Sequence, residues 1–180
     1  MAKDVKTMED LFLEEIRELI DVEKQIAKTL PRMARASTSQ ELQNAFNDHL
    51  GQTRAHIDRL ERIFSAIGAK SGGMKCKAME VLLKKVDEMV NSTDPGTVRD
   101  AGFIAAARRV EHYETAGYAS ARNFAQLLGR TEAADLLDET LIEEKEADQR
   151  LSEITESMVN QRVAESGAFG TRTGAAGSGQ

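Results

Sequence analysis

With 180 residues, a net charge of −6 and 30% charged side chains, the chain suits one domain large enough to bury a core of its own. Lys and Arg are mixed among Asp and Glu with no basic face, and apolar runs such as Phe103 to Ala107 are far too short to span a bilayer, so neither nucleic acid nor membrane is an expected partner. Cys76 is the only cysteine, which excludes an internal disulfide and any thiolate metal cluster and reads as an ordinary half-buried thiol.

Four long segments repeat apolar residues at the spacing of three then four that keeps one helical face inward. The first is expected from about Glu9 to Ala36, opened by Thr7 as a cap with Asp10 three residues on, and Pro31 should kink or weaken its last turns. The second runs from about Gln40 to Ile67, with Thr38 and Glu41 in capping-box spacing at its start and Gly68 at its stop. A Ser71-Gly72-Gly73 turn and a short amphipathic helix near Ala78 to Val90 read as a crossover, closed by Asp94-Pro95-Gly96. The third long helix spans about Val98 to Leu128 and ends at Gly129; Thr131 is read as the cap of the fourth, which continues to Glu165. The short breaks at Ser37 to Ser39 and after Leu128 make each pair antiparallel, so the fold class is an all-α bundle of two helical hairpins. Residues 1–165 form this domain. Ser166 to Gln180, mostly Gly, Ser, Thr and Ala, are expected to stay disordered because they cannot bury enough apolar area to offset their ordering entropy.

Acids interrupt the core rows. The first helix reads Phe12, Ile16, Leu19, Glu23, Ile26 and Leu30, with a carboxylate at the centre. The third carries Glu111 and Glu114 on one face, and the fourth reads Leu137, Leu141, Glu144, Asp148 and Leu151. The second helix interrupts its row with His49, Thr53 and His56, with Gln52 one step round. All four interruptions fall about midway. Unpaired buried carboxylates lose hydration, repel one another and protonate rather than stay charged, whereas a pair of divalent cations converts them into ligands. Oxygen-rich ligands with one or two imidazoles suit iron or manganese better than structural zinc. For any single acid, a boundary position paired with a base is the competing reading, for example Glu23 with Arg54 or Arg108. His112 and Glu143 lie off the rows and are expected to face solvent or a partner chain. Tyr113 and Tyr118 read as packing residues, with Tyr118 one turn from Glu114 and in reach of a ligand.

Val22-Glu23-Lys24-Gln25, Met74-Lys75-Cys76-Lys77-Ala78-Met79-Glu80, Val110-Glu111-His112-Tyr113-Glu114, and Glu139-Thr140-Leu141 with Glu143-Glu144-Lys145 carry a resemblance over about Thr7 to Val163. The chain resembles the YciF-like family of bacterial stress-induced, ferritin-like proteins. That resemblance implies a ferritin-like four-helix bundle with an extra crossover helix, a homodimer, and a dinuclear iron site. By position it implies Glu23, Glu111, Glu114, Glu144 and Asp148 as ligands. At the helix-two position where the family carries Glu, this chain has Gln52, a neutral amide and a poor bridge between cations, beside His56 and His49 as further ligands. The full candidate set is therefore Glu23, Gln52, His56, Glu111, Glu114, Glu144 and Asp148, holding two divalent ions, iron first and manganese second.

The leading expectation is a cytoplasmic di-metal protein with ferroxidase-like activity or consumption of oxygen or peroxide. The motifs do not decide whether it turns a substrate over. The rival is a metal-free or vestigial dimeric stress protein acting through protein contacts, which Gln52 favours; a cage-forming iron store ranks third.

Overall fold

The start of the first helix is set by two reciprocal hydrogen bonds: the Asp10 amide donates to the Thr7 hydroxyl at 3.0 Å and the Thr7 amide to the Asp10 carboxylate at 3.1 Å. This is the capping box expected from the sequence. The computed structural model describes residues 5–165, with side chains through residue 161, so the disorder expected of residues 166–180 lies outside the described residues. Five α-helices are present: α1 (Met8–Ala36), α2 (Gln40–Ala66), α3 (Lys77–Ser92), α4 (Thr97–Leu127) and α5 (Thr131–Glu165). There are no strands among the described residues.

α1 runs through Pro31 to Ala36, the end expected of it. Two local expectations need correcting. The cap of α2 is Ser39, whose hydroxyl accepts from the Leu42 amide at 3.3 Å, and not Thr38. Thr38 has other work: its amide and hydroxyl donate to Asp100 at 2.9 and 2.6 Å, and the Ser39 amide donates there at 2.8 Å. Asp100 lies buried in the first turn of α4, so the α1–α2 turn is tied to that helix's positive end. Thr131, read as a cap, is already the first helical residue of α5.

The helix ends marked by glycine are as expected. Gly68 and Gly129 adopt φ of +67° and +69°, and the next residues donate back to Phe64 and Ala125 at 3.0 and 2.9 Å, the six-to-one bond of a Schellman turn. The Gly129 turn sets α4 against α5 and the Ser37–Ser39 turn sets α1 against α2, while Gly68 ends α2 ahead of the segment that leads to α3. α1 also packs on α4, and α2 on α5, so the four long helices close into a ring. α3 lies outside it against α1 and α4.

α3 is pinned at its cap residue, Cys76. The Cys76 amide donates to Asp21 at 2.8 Å, its carbonyl accepts from Gln25 at 3.0 Å, and its sulfur lies 3.3 Å from both Glu18 and the Tyr113 hydroxyl. The thiol is buried, and burial raises its pKa, so it is held as a structural peg rather than a nucleophile.

Apolar residues inside the ring form two separate clusters. One contains Phe12, Ile16, Leu60, Ile63, Tyr118 and Leu137; the other contains Val22, Ile26, Leu42, Phe46, Val110 and Leu151. Between them, on all four long helices, lie buried polar side chains: Glu23, His49, Thr53, His56, Glu111, Glu114 and Glu144. Replacing Asp100 with Ala leaves three donors without their charged acceptor, and urea denaturation should show a loss of about 2–4 kcal/mol.

Candidate metal centre

Helical spacing explains why these side chains meet. His49, Thr53 and His56 repeat at four and three on α2, and Glu111 and Glu114 sit one turn apart on α4, so each set faces one way. Glu23 from α1 and Glu144 from α5 enter at the same depth. Glu23, Glu114, Glu144, Thr53 and His56 are all fully excluded from solvent.

Two overlapping ligand groups result. His49, Glu111, Glu114 and Glu144 form one; Glu23, His56 and Glu144 form the other. Within each, one ligating atom per residue lies within 4.8 Å of all the rest. An ion with bonds of about 2.0–2.4 Å needs donor atoms roughly this far apart, so small side-chain movements suffice to close either group. Glu144 belongs to both. His49 Nε2 lies 3.5 Å from Glu111 and 3.8 Å from Glu144, while His56 Nδ1 lies 2.9 Å from Glu144 and 3.2 Å from Glu23.

Each imidazole is held from behind. The Gln52 amide oxygen lies 3.4 Å from His49 Nδ1, and Glu143 lies 2.8 Å from His56 Nε2. Arg59 in turn fixes Glu143, donating from Nη1 at 2.6 Å and Nη2 at 3.0 Å. In the neutral ring each of those outer nitrogens carries the N–H and the inner nitrogen a lone pair toward the acids, the form an ion would require. Those inward atoms, His49 Nε2 and His56 Nδ1, make no hydrogen bond; the close contacts of His56 Nδ1 lack the alignment of one. Glu23 Oε2, Glu111 Oε2 and both oxygens of Glu114 and Glu144 are likewise buried without a hydrogen-bond partner. The Tyr118 hydroxyl donates to Glu23 at 2.5 Å, which orients that carboxylate.

The acids have no basic partner other than the two histidines. Among the described residues, no Lys or Arg pairs with Glu23, Glu111, Glu114 or Glu144. Arg54 and Arg109 are exposed, and Arg108 binds Asp148 instead at 2.7 Å. Protons take the place of a base. Burial, then repulsion from Glu144, holds the Glu111 and Glu114 pKa values well above the carboxylate range. Burial raises Glu23 to about 7 against the lowering effect of His56. Burial opposes charge on His56, but its contacts with Glu144 and Glu23 prevail and raise it to about 10. Burial would also raise Glu144, yet His56 and His49 hold it below its ordinary value. Burial lowers His49. The metal-free layer thus holds an ionised Glu144 against a protonated His56, with protonated carboxyls around them.

Of the residues expected as ligands, Glu23, His56, Glu111, Glu114 and Glu144 come together. Gln52 stands behind His49 rather than among the converging atoms. Asp148 is drawn aside, bound to Arg108 and 3.5 Å from the exposed His112. His49, a secondary candidate on the sequence, sits at the centre of the larger group. Glu143, expected to point outward, is half-buried against His56. No single-helix pattern gives Glu143 away, because its role depends on which residue of α2 faces it.

The residues fit divalent ions: seven unpartnered buried oxygens and nitrogens on Glu111, Glu114, Glu144, His49 and His56 are a donor set without an acceptor. The metal-free fold binds more protons than the unfolded chain above the ordinary carboxyl value of 4.5, through Glu23, Glu111 and Glu114, and above 6.5 through His56; His49 opposes, as do the lowered carboxyls of Glu144, Glu143 and Asp148 near the acid end of that range. Stability of metal-free protein should therefore fall as pH rises from 5 to 8, by about 2–4 kcal/mol in denaturant titrations.

Comparison with known proteins gives a consistent lineage. A family model described as a domain of unknown function (DUF892) matches residues 7–164. Protein YciF of Escherichia coli strain K12 is 40% identical over 161 residues, covering 89% of this chain and 97% of that protein. The crystal structure of the E. coli stress protein YciF matches with a TM-score of 0.84 at 40% identity, over 87% of this chain and 99% of that one. A Rhodopseudomonas palustris protein matches at 0.80 and 37% identity, over 84% and 97%. A Xanthomonas campestris protein at 19% identity and a TM-score of 0.72, over 89% and 99%, shares the fold.

Proposed function

The chain belongs to the DUF892 family, and on that footing we propose that it is a ferritin-like, non-haem protein binding two divalent ions, iron first and manganese second, in its buried acid layer. The observation that carries this reading is the pair of histidines, each held by its outer nitrogen and each turning to the buried carboxylates an inner nitrogen that makes no hydrogen bond. A structural polar layer would satisfy these atoms with one another; a ligand set leaves them free to converge on an ion.

In this reading the four long helices are a ferritin-like bundle, with α3 as an added crossover helix. His49, Glu111 and Glu114 would hold one ion and Glu23 and His56 the other, with Glu144 within reach of both groups. Redox-active ions held there supply one-electron chemistry toward oxygen or peroxide, the basis of a ferroxidase-like or peroxide-consuming role in stress. The chain's own residues do the rest. Gln52 and Glu143 fix the imidazole tautomers, Tyr118 orients Glu23, and the apolar clusters above and below exclude water. Protons leave Glu111, Glu114 and His56 as the ligands are taken up. Asp148 and Gln52 serve outside the ligand set.

The rival, a metal-free dimeric stress protein, drew on Gln52 as a lost ligand. With the amide behind His49, that argument loses its force. A homodimer remains part of the proposal, and sedimentation of the purified chain should give twice the monomer mass.

Anaerobic titration with Co(II) or Fe(II), followed by desalting, should retain two ions per chain, with proton release into weak buffer. Glu144→Ala should lose both ions, whereas His49→Ala and His56→Ala should each lose one, with about 10–100-fold weaker affinity where binding persists. Wild-type protein retaining well under one ion per chain would sink the reading.

A further inference from the structure

Two small cavities touch the acid layer, both at His49 and Glu111. One, of about 10 Å³, is walled by Ile26, Leu30, Met33, Leu83 and Val86, and α3 closes it. The other, of about 20 Å³, lies between α2 and α5, with Gln52, Ala147 and Arg150 on its walls. A water-sized molecule needs roughly 10–15 Å³ of such space and two or more polar partners, so the second cavity can hold one, while the first is only at the lower limit.

The two ends of the second cavity differ. At its inner end lie His49 Nε2 and Glu111 Oε2, both buried and without a hydrogen-bond partner. At its outer end stands Arg150, whose side chain is 42% exposed and donates to Asp48 at 2.8 Å. Beyond it, Arg150 also borders a surface basin of about 570 Å³ with Glu41, Lys145 and Glu153. Arg150 thus lines both the basin and the cavity that touches His49 and Glu111.

We propose that this seam is the port and resting place for a small hydrogen-bonding oxidant of the peroxide class, gated by the Arg150–Asp48 ion pair. The inference rests on the metal reading above. The lining selects the guest. Gln52 turns its oxygen to His49, leaving its NH₂ as a donor, and Arg150 offers further donors at the mouth. A guest with oxygen lone pairs is bound by both. Dioxygen gains nothing from these donors. The ion pair at the gate is exposed, so little energy holds it shut and it opens on a fast timescale.

Azide, a small anionic hydrogen-bonding probe, tests the port when mixed with Co(II)-loaded protein and followed by visible absorbance in stopped flow. Ala147→Leu fills the cavity without altering an acid or imidazole and should slow azide association about tenfold with the Co(II) count unchanged. Asp48→Asn, on the surface, frees Arg150 and should speed association several-fold. Unchanged rates at full Co(II) occupancy overturn the port and leave the metal layer standing. Wild-type protein that retains no Co(II) overturns both. Should Ala147→Leu fail to fold, Asp48→Asn decides the matter by itself, because it lies outside the core.

Discussion

Four carboxylates share the centre of this molecule without a lysine or arginine among the described residues to neutralise them. In a low-dielectric interior such a group is costly unless something positive or a proton joins it. Every feature of the layer answers that constraint. His56 is driven to hold a proton between Glu23 and Glu144, and Glu111 and Glu114 hold theirs as neutral acids. A fold under selection for stability alone would place leucine at these positions and join its two apolar clusters into one. The persistence of the layer is intelligible if divalent ions replace the protons.

The surrounding architecture keeps that layer dry and its donors aimed. Two apolar clusters close it from either end, and the Schellman turn at Gly129 holds α4 and α5 in fixed register. Outside the ligands, Gln52, Glu143 with Arg59, and Tyr118 each take one polar atom of a ligand and leave the other exposed to the centre. The two histidines are not equivalent, since a neutral amide stands behind one and an arginine-bound carboxylate behind the other. The motif around Cys76 belongs to a different task. Asp21, Gln25 and Tyr113 gather on that residue and dock the crossover helix, which seals the apolar side of the layer.

The helices were legible because their determinants are local. Apolar periodicity, the Thr7–Asp10 capping box and the glycines at 68 and 129 act within a turn or two of chain, and the structure returns them with boundaries shifted by a residue or so. The central acids were legible for the same reason: Glu23, Glu111, Glu114 and Glu144 sit in apolar rows, and a row defines a buried face before any partner is known. Thr38 marks the limit of local reading. Its spacing to Glu41 suggests a cap, but Asp100, sixty-two positions away, competes successfully for its hydrogen bonds.

What lay beyond the linear pattern was partnership. Asp148 shares a row with Glu144, yet Arg108 from α4 captures it at the rim, a choice settled by the facing of two helices. Glu143 lies off the row, yet α2 brings His56 to it; Gln52 lies where a ligand was expected, yet the rotation of α2 puts it behind His49. A helical sequence specifies which face is buried, because burial follows the 3.6-residue period. Which atoms then touch depends on the rotation, depth and crossing of neighbouring helices, and those arise only when all the side chains pack together.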